Sequence, residues 1–192
     1  MTAPDITSLL FLDTETNGLD PNKGCCVLEV ACARLDLATG QISDTYEALI
    51  HGGDAIQGDY HKREGTFRDA DWSKAVPRRE AIGQLFARME GSTIAGHNVK
   101  FDIKFLRAEA DLLKFYWPTT QYHEIDTVAM AAPLLFAKKV SSLSLETLRT
   151  WAGRTGKQSH RALGEVMDTI AVFQKMTELV RMGLHTMDAF AE

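Results

Sequence analysis

Cysteine is scarce in this chain, and the three present, Cys25, Cys26 and Cys32, crowd into one short stretch. They have neither metal-ligand spacing nor partners elsewhere. A disulfide framework is therefore excluded, and buried free thiols in a reducing, cytoplasmic compartment are expected. No apolar run approaches the ~18 residues of a membrane-spanning helix. The start, MTAPDITS, lacks the basic and apolar regions of a signal peptide, so no membrane partner is expected. An excess of positive charge is missing too. The formal charge of −5 argues against a protein that coats DNA without regard to sequence. It leaves room for an enzyme that grips a few phosphates, because acids gathered at a metal site lower the total. Repeats, low-complexity tracts and linkers are also absent. What is present, 192 residues with 45% hydrophobic and 24% charged content, fits a single globular domain over 1–192.

Hydrophobic patterning predicts strands at 7–13, 25–36 and 44–50, the last two joined by a turn at Thr39-Gly40. Residues 51–76 are polar and glycine-containing and read as a long surface loop with a helical turn. After Pro77, an amphipathic helix carries Ile82, Leu85, Phe86 and Met89 on one side. A short strand at 92–96 leads through His97-Asn98 into a helix over 99–113. Its expected core face is Phe101, Phe105, Leu106, Ala108 and Leu112. A strand near 121–125, a helix over 127–137 and a capped helix from Ser142 or Ser144 follow. The last helix, over 161–181, has Leu163, Val166, Ile170, Phe173 and Val180 among its apolar positions. Strands first, then strands alternating with helices, predict an α/β fold with a mixed sheet flanked by helices.

The stretch LLFLDTETNGLD, residues 9–20, carries the first chemical signal. Leu9 to Leu12 read as a buried strand. Residues i and i+2 share a strand face, so Asp13 and Glu15 point the same way from its end. Two such carboxylates repel unless one is protonated or a cation lies between them; two solvated turn residues are the alternative. Asp102 lies one turn into a helix that follows a strand. Asp126 begins a helix, where capping explains it. Glu165 and Asp168 lie on the first turns of the last helix, just after His160. Ligands bind outside the carboxyl ends of strands in open α/β sheets, so these acids can meet there. Four carboxylates without thiolates describe a site for magnesium or manganese. Two such ions about 4 Å apart serve phosphodiester hydrolysis, with His160 placed to act as general base.

FLDTETNGLD, AGHNVKFDIKFL and SHRALGEVMDT, in that order, resemble the three motifs of the DnaQ-like DEDDh 3′→5′ exonuclease family. The resemblance covers about residues 7–181. It implies a ribonuclease-H-like fold, two divalent metal ions (Mg2+ or Mn2+) and removal of nucleotides from 3′ ends. It assigns Asp13, Glu15, Asp102 and Glu165 to the metals and His160 to the base. No tyrosine follows Tyr122, which disfavours the sister family with tyrosine in place of this histidine. Where the family has aspartate five residues after the histidine, this chain has Glu165. The extra carbon–carbon bond adds about 1.5 Å of reach and can shift preference toward manganese.

The same resemblance places Thr14, Thr16, Leu19, His97, Asn98 and Phe101 against the terminal nucleotide. Phe101 suits the helix core equally well, and His97-Asn98 suits a strand-to-helix turn. Lys62, Arg63, Arg68, Lys157 and Arg161 either track a phosphate backbone or form a solvated face. Trp72, Trp117 and Trp151 are expected to pack rather than stack on bases. The expected substrates are single-stranded DNA or RNA 3′ ends, DNA favoured, and a polymerase or other replication protein is a candidate partner. GLHTMDAFAE after the last helix is too short for a second polymerase-binding domain. An oligoribonuclease-like RNA exonuclease and a catalytically impaired nucleic-acid-binding adaptor are the alternatives.

Overall fold

The computed structural model describes residues 6–121 and 123–188. The opening five residues, on which the signal-peptide reading partly rests, Tyr122 and the last four residues lie outside them. The apolar run at the start forms β1 (Ser8–Thr16). It is continuous rather than alternating because both its faces are covered. Leu10 and Leu12 enter a core with Ile82, Leu85, Phe105 and Leu106. Leu9 and Phe11 enter a second core with Val166, Ile170 and Phe173. The strand continues through Thr16, so Asp13 and Glu15 lie within it rather than beyond its end.

β2 (Val27–Asp36) and β3 (Ile42–Leu49) complete an antiparallel meander. Asp36 closes the turn between them, accepting the N–H groups of Ala38 and Thr39. Cys25 and Cys26 precede β2 and are only partly buried, whereas Cys32 is buried within it; all three are free. β4 (Ile94–Gly96) and β5 (Ile125–Asp126) add in parallel on the far side of β1, giving the order β3-β2-β1-β4-β5. The mixed α/β sheet read from the sequence is the one observed.

Residues 51–76 are not one loop. They contain α1 (Gly53–Ile56) and α2 (Asp59–Glu64), and an Ile50–Val76 bridge ties their ends. Phe67 and Trp72 pack there with Leu28. α3 (Arg78–Met89) and α4 (Val99–Leu113) cover one face of the sheet. α5 (Thr127–Phe136) is capped by Asp126 and α6 (Leu145–Trp151) by Ser144, whose side chains accept the Val128 and Thr147 N–H groups. α7 (Ala162–Asp188) covers the other face. Trp117 packs edge-on against Phe86, and Trp151 joins the α6–α7 cluster. No helix among the described residues is long and apolar enough to cross a membrane.

Three assignments need correction. Leu112 is 67% exposed, and the α4 face it was expected to fill holds buried Glu109 instead, paired with Arg78. Val180 is 60% exposed, beyond Met176, which is buried in the α6–α7 cluster. The segment GLHTMDAFAE begins inside α7, which continues to Asp188.

Phe11 is fully buried and meets Phe173 edge-on at 5.4 Å, joining β1 to α7. Phe11→Ala should cost about 3–5 kcal/mol of stability. The check is a lower urea midpoint at unchanged m; an unmoved midpoint would contradict this packing.

Candidate active site

The strand's alternation decides which acid meets which helix. Odd positions of β1 face α7, so Asp13 and Glu15 emerge where α7 begins. One carboxylate oxygen from each of Asp13, Glu15 and Glu165 lies within 4.8 Å of the others. Even-numbered Thr14 meets α4. Its N–H and its hydroxyl both donate to Asp102 Oδ1 at 2.8 Å. Asp102 thus reaches the site from the opposite face. It borders the same cavity of about 330 Å³ as Asp13, Glu15, His160 and Glu165, but stands outside the tight trio.

Two local features bring α4 and α7 to the strand. A Cβ on Gly96 would sit 3.2 Å from the Leu12 carbonyl oxygen and 3.0 Å from Val99, so glycine lets the start of α4 press onto β1. Asn98 then turns the chain in the left-handed region (φ 58°), its N–H held by Asp126. On the other side, His160 also adopts positive φ (47°) before α7. Its Nδ1 lies 3.3 Å from Glu165 Oε1, which also accepts from the Gln158 amide at 2.6 Å.

The electrostatics follow from crowding. Burial, reinforced by Asp102, Glu165, Glu15 and Glu29, holds the Asp13 carboxyl well above the usual range. Burial first, then Glu165, Glu29 and Asp102, pushes Glu15 up to about 9, with Arg161 opposing. Asp102 rises to about 7 through burial, against the hydrogen bonds from Thr14. The hydrogen bond to Glu165 raises His160. Burial lowers His97, whose Nδ1 lies 3.0 Å from the Thr127 hydroxyl. A set of oxygen donors that resist carrying their own negative charge fits a hard divalent cation, which would remove the repulsion.

A second cavity, about 410 Å³, adjoins the first. Thr14, Thr16, Leu19 and Phe101 border it, and His97, Asn98 and Phe101 border the carboxylate cavity. Thr16 Oγ1 donates to the Gly18 carbonyl at 2.7 Å, and Leu19 stands 82% exposed at the rim. The residues that the resemblance assigned to the metals, the base and the terminal nucleotide therefore all border one of these two spaces. Two neighbours were not expected. Tyr60 on α2 lines both cavities and meets His160 edge-on at 5.9 Å. His61 is buried, its Nε2 donating to the Thr16 carbonyl at 2.7 Å and lying 3.7 Å from Glu15 Oε2. An aromatic–histidine pair inside an otherwise polar stretch was the available signal. Arg161 is not a freely solvated cation, since it is bound to buried Glu29. Asp168 is likewise withdrawn from the acidic cluster, held by Arg149 and Arg154.

A family model described as exonuclease (RNase_T) matches residues 10–173. The chain is 29% identical over 174 residues to a PolC-type DNA polymerase III of Thermotoga petrophila, covering 91% of this chain but 12% of that protein. It is 30% identical over 176 residues to the DNA polymerase III subunit epsilon of Rickettsia typhi, covering 88% of this chain and 73% of the relative. Among solved structures, the nuclease domain of 3′hExo, a DEDDh family member bound to rAMP, superposes with a TM-score of 0.70 at 16% identity. That likeness covers 92% of this chain and 94% of that one. Exonuclease I of E. coli in complex with a dT13 oligonucleotide gives 0.73 at 19%, covering 96% of this chain and 43% of that one. At those identities the structural likeness is one of ribonuclease-H-like fold.

The raised carboxyls make stability depend on pH. A carboxyl whose folded pKa exceeds its unfolded value of about 4 stabilises below that value and loses the contribution as pH rises through the folded pKa. For Asp102 and Glu15 that window ends near 7 and 9. Without metal, the melting temperature should therefore fall between about pH 5 and pH 9. Added Mg2+ or Mn2+ should raise it more at the alkaline end. A melting temperature indifferent to both would contradict the clustering of charge.

Proposed function

This chain belongs to the exonuclease family, and from that premise we propose that it is a metal-dependent 3′→5′ exonuclease. It would release nucleoside 5′-monophosphates from single-stranded or frayed ends, DNA favoured. The observation that carries this reading is the meeting of Asp13, Glu15 and Glu165 beside His160, with Asp102 bordering the same cavity. The 410 Å³ space between the Thr16–Leu19 turn and α2 is open enough for a splayed terminal nucleotide.

Asp13, Glu15, Asp102 and Glu165 would hold two divalent ions, Mg2+ or Mn2+. When bound, such ions supply an acidified water and neutralise charge that builds on the phosphate. The protein's own residues do the rest. His160, its Nδ1 turned to Glu165, presents Nε2 to take a proton from the attacking water. Thr14 fixes Asp102 through two hydrogen bonds. Leu19 at the rim and Phe101 on the wall offer apolar surface to a base, and Tyr60 closes the space beside His160. The relatives named as polymerase subunits support a replication protein as partner. The extra reach of Glu165 would favour manganese over magnesium, whose octahedral geometry is the stricter.

The test is digestion of matched 5′-labelled single-stranded DNA and RNA with Mg2+, Mn2+ or EDTA. A metal-dependent ladder shortening from the 3′ end, faster on DNA, is expected. His160→Ala should lower kcat roughly 10²- to 10⁴-fold while leaving metal binding largely intact, and Asp13→Ala should abolish both. Glu165→Asp should restore magnesium activity relative to manganese. Full turnover by either alanine variant would refute the assignment, and bound but undegraded oligonucleotide would favour an adaptor.

A further inference from the structure

The loop that carries His160 is tied down on both sides by acids that stand outside the acidic trio. Upstream, Asp168 is buried and accepts Arg149 Nε at 2.5 Å and Arg154 Nε at 2.7 Å. The other two arms of Arg149 donate to the carbonyls of Gly156 and Thr155, at 2.8 and 3.1 Å. Downstream, Glu29 on β2 is fully buried. It takes Arg161 Nε at 3.0 Å to each oxygen, Arg161 Nη2 at 2.5 Å and the Ala162 N–H at 3.1 Å. One carboxylate thus grips the residue after His160 and caps the first N–H of α7. Between the two anchors, Ser159 fills the space of a missing side chain: a Cβ on Gly164 would lie 2.0 Å from its hydroxyl.

Buried ion pairs are weak devices for stability, since apolar residues of similar volume often serve as well. They are strong devices for fixing geometry, because a guanidinium admits few arrangements around its acceptors. His160 needs such help. Its positive φ is one that a residue with a side chain rarely holds unless its surroundings impose it.

We propose that Glu29 and Asp168 are positioning residues, whose arginine clamps hold the loop from Arg154 to Arg161 so that His160 faces the carboxylate cavity. This rests on the reading of His160 as general base. It goes beyond that reading by assigning its orientation to two acids and three arginines outside the carboxylate trio.

The test uses Glu29→Gln and Asp168→Asn, which keep size and an acceptor oxygen but lose the charge that binds the arginines. Each should lower kcat roughly 10- to 100-fold with KM nearly unchanged. Asp168→Asn should lower it no further in a His160→Ala background, because that clamp acts through His160; Glu29 also faces Glu15 across the sheet, so its clamp is read from the His160 signal. In metal-free protein, the His160 Cε1–Hε1 NMR signal, identified by its absence from His160→Ala, should broaden or split in both variants. Should Glu29→Gln fail to fold, Arg161→Lys, which leaves the Ala162 N–H capped, takes its place with the same expectations. Equal losses from Asp168→Asn with and without His160, or an unchanged His160 signal in either variant, would overturn the proposal. If the wild-type protein degrades nothing, the exonuclease reading fails, and the NMR signal alone decides the clamps.

Discussion

Glu15 and Glu29 stand directly opposite each other across the β1–β2 ladder, where like charges destabilise a sheet. Asp13, Asp102 and Glu165 crowd the same strand end. The protein meets this repulsion in two ways. Glu29 receives Arg161 and a helix N–H and becomes part of the scaffold. Among the described residues no guanidinium hydrogen-bonds to Asp13 or Glu15, and burial with neighbouring acids holds their carboxyls well above the usual range, although Arg161 opposes the rise of Glu15. The register shift between Glu15 and Thr16 falls just where the two treatments diverge. The residue skipped there is Leu28 of β2, and just beyond it the Thr16 carbonyl meets His61.

The sheet distributes the remaining work by parity. A central strand buried on both faces must send alternate residues into different cores, and β1 does so from Leu9 to Leu12. The same alternation continues into the acids. Asp13 and Glu15 inherit the α7 face of Leu9 and Phe11, while Thr14 inherits the α4 face of Leu10 and Leu12. That is why Glu165 meets the first pair directly and Asp102 is held through Thr14. Packing and charge placement are set by one periodicity, so a one-residue slip of β1 would exchange both at once.

Much of this was legible in the sequence because it depends on local rules. The continuous apolar run, the i, i+2 acids, the bounds of α4 and the caps at Asp126 and Ser144 follow from strand period, helix period and capping chemistry. Other features depend on contacts between distant segments. Glu109 replaces Leu112 in the core only because Arg78, from another helix, pairs with it. Tyr60 and His61 lie in a stretch with no apolar period, and only the folded chain brings them against His160 and Thr16. Arg161 read as a phosphate-tracking or solvated cation and Asp168 as one of the site's acids, since nothing local reveals that Glu29 and Arg149 await them.

Glu165 shows how these levels join. With one more methylene than aspartate, its carboxylate reaches both the trio and the His160 loop. Its Oε1 accepts from Gln158 and faces His160 Nδ1. Each link constrains the other. Charge drawn toward a cation would weaken the hold on His160, and a loop that shifts His160 would also move one of the three clustered acids. The anchors at Glu29 and Asp168 counter that coupling from outside, since they fix the loop without drawing on the carboxylates that would hold the cation. A shorter acid at this position would separate the two duties, and the longer one ties the geometry of the loop to that of the carboxylate trio.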